Sequence, residues 1–158
     1  DVVLIDGFFS AAAESTARTA RRRRISVVLD AGSWKPGLEA LLDLVDVAVC
    51  GEGYRSPGTE AGPAALEDLH RRGVEQAAVT RGGLSILYRD GAAAGEVPVA
   101  AVPVVDTLGA GDVLHGALCF FLATGMGFVE ALTRASSLAT ESTRSFGTRA
   151  WMEQEPRS

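Results

Sequence analysis

"VVDTLGAGDVLHGAL", residues 104–118, sets a β-branched run, a turn with two glycines between two aspartates, and an apolar helix in direct succession. The order predicts a strand, a tight turn and a helix. Gly109 and Gly111 permit unusual backbone angles and let a ligand come close to the main chain. The helix that opens there leaves its first amide hydrogens unpaired and carries a partial positive end. Turn and helix end together make an anion site. Asp112 is out of place in such a site, because a carboxylate repels a resting phosphate. It makes sense as a base that takes the proton from a hydroxyl attacking a phosphoryl group. A plain turn closed by a capping Asp112 has the same spacing, so the residues alone leave both readings open.

Two commoner glycine loops fail on particular residues. In a G-x-G-x-x-G dinucleotide fingerprint that starts at Gly109, the third glycine falls on Leu114. A Walker A loop needs Lys-Ser or Lys-Thr after the glycines, and neither follows.

The rest of the chain alternates in the same manner. "VVLID" (2–6) reads as a buried strand, followed by an Ala- and Arg-rich helix over 10–24. "ISVVLD" is a second strand, ending at Asp30. A short helix over 38–44 leads to the strand "DVAVC", then to the turn-rich "GEGYRSPG" and a helix over 61–72. "QAAVTRGG" is a further strand, and "LSILYRDGAAAGEVPVAAVPVVD" a hairpin turning at Asp90-Gly91. Helices over 111–124 and 128–143 complete the chain. Short Val/Ile/Leu runs separated by helices indicate a parallel sheet covered on both faces. Ligands in such folds bind beyond the carboxyl ends of the strands. The segments at Asp30–Gly32, Gly51–Gly53, Thr80–Gly83 and Asp106–Asp112 are expected on that rim.

With 158 residues, 47% apolar and 22% charged, the chain has the profile of one globular domain with a real core. Its formal charge of −5 argues against a nucleic-acid face. The cluster Arg21 to Arg24 complements the negative end of its helix. Cys50 and Cys119 lie in apolar stretches and read as buried thiols of a reducing cytosol, so a cytoplasmic location is expected. No charged-then-apolar leader is read at Asp1, so secretion is not expected, and the most apolar window, "LHGALCFFLATGMGFVEAL", is broken by His115, Thr124 and three glycines. His70 and His115 have no partner at zinc-ligand spacing. No nucleophile elbow is present. Trp34 and Trp151 read as packing residues, Asp30 and Lys35 as structural or solvated.

"DTLGAGDVLHGAL" resembles the second signature of the ribokinase-like, or PfkB, family of carbohydrate kinases. "AAVTRGG" is similar to the family's nucleotide strand, although it reads T-R-G-G. "LATESTRSFGTRAW" resembles the C-terminal loop that closes over the adenine side. "VVLIDG" and "VVLDAGSWKPGL" are similar to middle strands of ketohexokinase-like members. The resemblance implies an α/β, ribokinase-like (Rossmann-like) three-layer sandwich with a mostly parallel sheet, lacking the amino-terminal half and lid. It implies transfer of the ATP γ-phosphate, with Mg2+, to a hydroxyl of a sugar or sugar-like molecule. Asp112 would be the base, and the amides of Gly109, Ala110 and Gly111 the anion hole. Thr80 and Gly82 would approach the nucleotide, and Gly147 would line its pocket. Asp106 would help hold a monovalent cation, K+.

Two departures accompany the match. The family's N-x-x-E motif is replaced by "CGEGYRSPG", with Glu52 nearby. Members are also about twice as long, so the chain corresponds to the carboxyl-terminal, nucleotide-binding and catalytic half. That length sets an alternative beside the kinase: a catalytically incomplete nucleotide-binding fragment or regulatory partner. An open half-site also exposes apolar surface, which favours self-association, for instance as a homodimer.

Overall fold

A computed structural model describes residues 1–153. The chain forms two compact units, one from Asp1 to Pro98 and one beginning at Val99.

The first unit carries the sheet. Its elements are β1 (Val2–Asp6), α1 (Ser10–Arg22), β2 (Ser26–Ala31), α2 (Leu38–Leu42), β3 (Val47–Cys50), α3 (Pro63–Arg71), β4 (Gln76–Arg81), β5 (Leu84–Asp90) and β6 (Ala93–Val97). The six strands lie side by side in chain order. β1 to β4 are parallel, β5 returns antiparallel to β4, and β6 is antiparallel to β5. The α/β class and the mostly parallel sheet expected from the alternating runs are therefore what forms.

Each parallel crossover steps in the same direction, and right-handed crossovers then lay their helices on one face. There Ala13, Ala17 and Ala20 of α1, Leu38, Leu41 and Leu42 of α2, and Ala65, Leu66 and Leu69 of α3 close over the sheet. They meet one set of alternating strand residues, among them Val27, Leu29, Ala48, Cys50, Ala77 and Val79. The other set, including Val28, Val47, Val49 and Ala78, is buried too. That is why these strands read as unbroken apolar runs. Burial raises the thiol pKa of both Cys50 and Cys119, and in Cys50 the charge of Asp30 adds to the effect.

α1 and α3 end alike. Ile25 N–H reaches Ala20 O at 3.0 Å and Val74 N–H reaches Leu69 O at 3.0 Å, each across one residue of positive φ. In α3 that residue is Gly73; in α1 it is Arg24, at φ 57°. The left-handed closure stops α1 at Arg22, two residues short of the expected end.

A buried carboxylate secures the loop between β3 and α3. Asp68 accepts hydrogen bonds from Ser56 Oγ (2.5 Å), Arg71 (2.8 Å) and Arg72 (2.7 Å). The Arg72 guanidinium lies over the Trp34 ring at 5.2 Å, and Trp34 meets buried Tyr54 edge-on at 6.1 Å. Burial alone would raise the Asp68 pKa. The bonds from Ser56 and Arg72 and the charges of Arg72 and Arg71 outweigh it and hold the carboxyl below its ordinary 3.8. A depressed carboxylate stabilises the fold above its unfolded-state pKa, and that contribution is lost as pH falls through the folded value. The stability difference between the wild type and Asp68→Asn should therefore be fully present at neutral pH, at about 1–3 kcal/mol. It should shrink below about pH 4. Urea denaturation of both proteins at several pH values measures it; a pH-independent difference would contradict the assignment.

The second unit holds α4 (Ala110–Ala123) and α5 (Phe128–Ser142), followed by a 3-10 turn at Ala150–Glu153. A four-residue link with Gly125 at φ 88° makes the two helices neighbours. Leu114, Leu118, Phe128, Ala131, Leu132 and Ala135 are among their buried residues.

One expectation fails here. The second hairpin strand stops at Val97, and residues 98–109 form neither strand nor helix. Pro98 and Pro103 have no N–H to give a ladder, and Val104 and Val105 are each 61% exposed. The glycine turn is thus entered from a loop rather than from a strand. Among the described residues no helix is long and apolar enough to cross a membrane.

Candidate active site

The second unit builds its site around the turn at Asp106–Asp112. Asp106 Oδ1 accepts the Leu108 N–H at 2.9 Å, and its Oδ2 accepts the Gly147 N–H at 2.9 Å. The Leu108 bond, then the Gly147 bond, hold this carboxyl below its usual range. Thr143 O accepts both the Val105 N–H (2.8 Å) and the Asp106 N–H (3.1 Å).

Gly109 is the residue before the helix, at φ 78°. A Cβ there would lie 2.9 Å from Thr148 Cγ2, so both the backbone angle and the space demand glycine. The first helical bond runs from Val113 N–H to Gly109 O at 2.9 Å. Ala110 N–H is turned to Thr107 O at 3.2 Å. The N–H groups of Gly111 and Asp112 have no acceptor among the described residues. Gly111 is the opposite of Gly109: a Cβ there would meet nothing within 4 Å, and its φ is not positive.

Asp112 stands in the first turn of α4, exposed, with no hydrogen bond or ion pair among the described residues. It makes no capping bond. A bare carboxylate beside two open amides can accept a proton next to a bound anion. One turn on, His115 is buried, its Nδ1 2.7 Å from Gly111 O.

The other expected residues fall as follows. Gly147, at φ 80°, belongs to the C-terminal loop and is tied to Asp106. Thr80 and Gly82 lie in the first unit. Thr80 Oγ1 donates to Cys50 O at 3.3 Å, joining the carboxyl ends of β3 and β4. Gly82, at φ 60°, turns the chain from β4 into β5 with open space around it. Glu52 is exposed. Lys35 Nζ lies over the Phe8 ring at 3.2 Å, and Trp151 donates to Thr148 O at 3.0 Å. Sequence reasoning missed Thr143 and Thr148. A backbone carbonyl and a methyl that act across the second unit leave no local pattern.

The mostly parallel α/β sheet matches the fold of ribokinase-like structures. The sequence model of the pfkB family carbohydrate kinases matches residues 1–155, and the chain belongs to that family. It is 37% identical over 99 residues to a ribokinase of Mus musculus, covering 60% of this chain and 30% of that protein. It is 30% identical over 88 residues to a ribokinase of Lactococcus lactis, covering 56% of this chain and 29% of that one. The structure of Arabidopsis thaliana ribokinase complexed with ribose and ATP superposes with a TM-score of 0.82 at 23% identity, covering 95% of this chain and 52% of that chain. The chain thus spans about half the length of that solved ribokinase.

Proposed function

We propose that this chain is the nucleotide-binding and catalytic part of an ATP-dependent kinase that phosphorylates a hydroxyl of a sugar or sugar-like molecule. One observation carries the reading: two amides and a carboxylate without partners among the described residues share the first turn of α4. Asp112 takes the proton of the attacking hydroxyl. The amides of Gly111 and Asp112, with that of Gly109, receive the transferred phosphoryl group. Ala110 shapes the turn and spends its own N–H on Thr107. One such donor is typically worth about 2.7–4 kcal/mol of transition-state stabilisation, and a placed base about 10²- to 10⁴-fold in rate. Thr80 and Gly82 approach the nucleotide phosphates and ribose, and Gly147 lines the nucleotide pocket. The two units work as one kinase domain in the cytosol.

Magnesium enters as part of the nucleotide substrate. Among the described residues no group of three or more His, Cys, Asp or Glu side chains is placed to hold a metal ion. Potassium fits Asp106 by donor chemistry, since each carboxylate oxygen keeps a lone pair beyond the N–H it accepts. The further likeness to ketohexokinase-like members rests on "VVLIDG" and "VVLDAGSWKPGL" alone, while the curated relatives above are ribokinases.

Titration with ATP–magnesium, with and without potassium, followed by a screen of sugars and nucleosides for ADP release, tests the proposal. Saturable ATP binding with acceptor-dependent ADP release is the expected result. Binding without release would favour the nucleotide-binding partner, and absence of binding would overturn both.

A further inference from the structure

We propose that Asp106 is a positioning residue that bolts the loop of residues 143–148 to the turn ahead of α4. The arrangement of the Gly111 and Asp112 amides and the Asp112 carboxylate is thereby fixed before substrate arrives. The purpose of the bolt rests on the kinase reading above; the bolt itself rests on geometry.

The two oxygens of Asp106 serve different segments. One holds Leu108, two residues on, and shapes the turn locally. The other holds Gly147, 41 residues on, and joins the turn to the far end of the loop. The near end is fixed separately, because Thr143 O accepts both Val105 N–H and Asp106 N–H. Just past Gly147 the Thr148 methyl faces the bare position of Gly109, 2.9 Å from where a Cβ would be. Three unlike contacts therefore fix one loop against one turn, and Asp106 takes part in two of them.

Only a carboxylate fits this duty. It accepts at both oxygens, whereas asparagine offers one acceptor and one NH2 donor. In Asp106→Asn one of the two amides, Leu108 or Gly147, faces a donor. In Asp106→Ala both lose their partner.

The experiment compares wild type, Asp106→Asn and Asp106→Ala in the complete protein. Hydrogen exchange is followed in peptides over 104–113 and 143–148, alongside steady-state phosphoryl transfer. Exchange in both segments should quicken about tenfold or more, alanine above asparagine, with the α1–α3 segments unchanged. The turnover number should fall by about 10- to 100-fold per folded molecule. KM for the acceptor should stay within about twofold, because the loss belongs to the reacting geometry rather than to binding. The asparagine variant should recover part of the rate. Unchanged exchange over 143–148 in both variants would overturn the proposal, as would a rise in KM at constant turnover. Should the alanine variant not fold, the asparagine variant, with one acceptor kept, decides alone. Should the wild type lack phosphoryl transfer altogether, the kinase reading fails, and exchange over 143–148 still decides the bolt.

Discussion

Asp112→Asn lowers phosphoryl transfer by about 10²- to 10⁴-fold and leaves ATP affinity close to the wild-type value. The substitution preserves size and removes the one property the proposed chemistry needs, a basic oxygen. It disturbs little else. Asp112 is exposed, and no group among the described residues depends on its carboxylate. The fold loses only the attraction between a negative charge and the helix end, about 0.3–1 kcal/mol. Nucleotide binding holds or tightens slightly, because removing a negative charge beside the phosphates relieves repulsion. The competing reading, Asp112 as a simple helix cap, predicts a different pattern. Asparagine caps a helix about as well as aspartate, so turnover would hold at the wild-type rate and stability would change little. ADP-release kinetics, ATP titration and urea denaturation on the same two proteins separate the readings. An asparagine variant that turns over at the wild-type rate sinks the assignment.

The parts of this chain legible in its sequence are those whose cause is local. The runs VVLID, SVVLD and VAVC appear as strands within a residue of the expected bounds. The last two are buried on both sides, whereas β1, at the sheet edge, buries only Ile5 and leaves Leu4 exposed, so it is not the buried strand expected. The hairpin turn at Asp90-Gly91 was equally plain, with Gly91 at φ 57°. The hairpin's second strand differs from the expected one: it ends at Val97 rather than at residue 106. The β-branched residues of "VPVAAVPVV" favour a strand, but its two prolines cannot join a ladder. In the site, the glycine turn, Asp112 and Asp106 were legible because motif and helix start coincide. The acceptor of the Ala110 N–H was not, nor was the seat of Thr148 on Gly109, since a turn's internal bonding depends on dihedral angles that residue types only bias. The Asp68 hub was invisible for a different reason. Ser56 reaches it across 12 residues through a loop whose course no periodicity encodes.

The two glycines of the turn should answer substitution in opposite ways. Gly109→Ala places a side chain at φ 78° and drives its Cβ to 2.9 Å from the Thr148 methyl. The left-handed angle alone costs about 1–2 kcal/mol. The contact adds a shift of the Thr148 side chain, or of the loop that carries it, so stability and turnover both fall. Gly111→Ala meets nothing within 4 Å, and alanine is favoured over glycine in a helix by about 0.8–1.0 kcal/mol. The fold therefore gains slightly or stays level. If Gly111 has no duty beyond the fold, activity should hold with it, even in Gly111→Val. If the helix end receives a phosphoryl group, bulk at 111 stands between that group and the amides, and turnover drops steeply from alanine to valine in a folded protein. The rate should fall by about 10²- to 10³-fold for valine, the size expected on losing one aimed donor. Thermal denaturation and ADP release across Gly109→Ala, Gly111→Ala and Gly111→Val resolve the matter. Full activity in the valine variant would mean that nothing approaches the main chain there, because only a ligand can give an exposed, sterically free glycine on a helix a steric reason to stay bare.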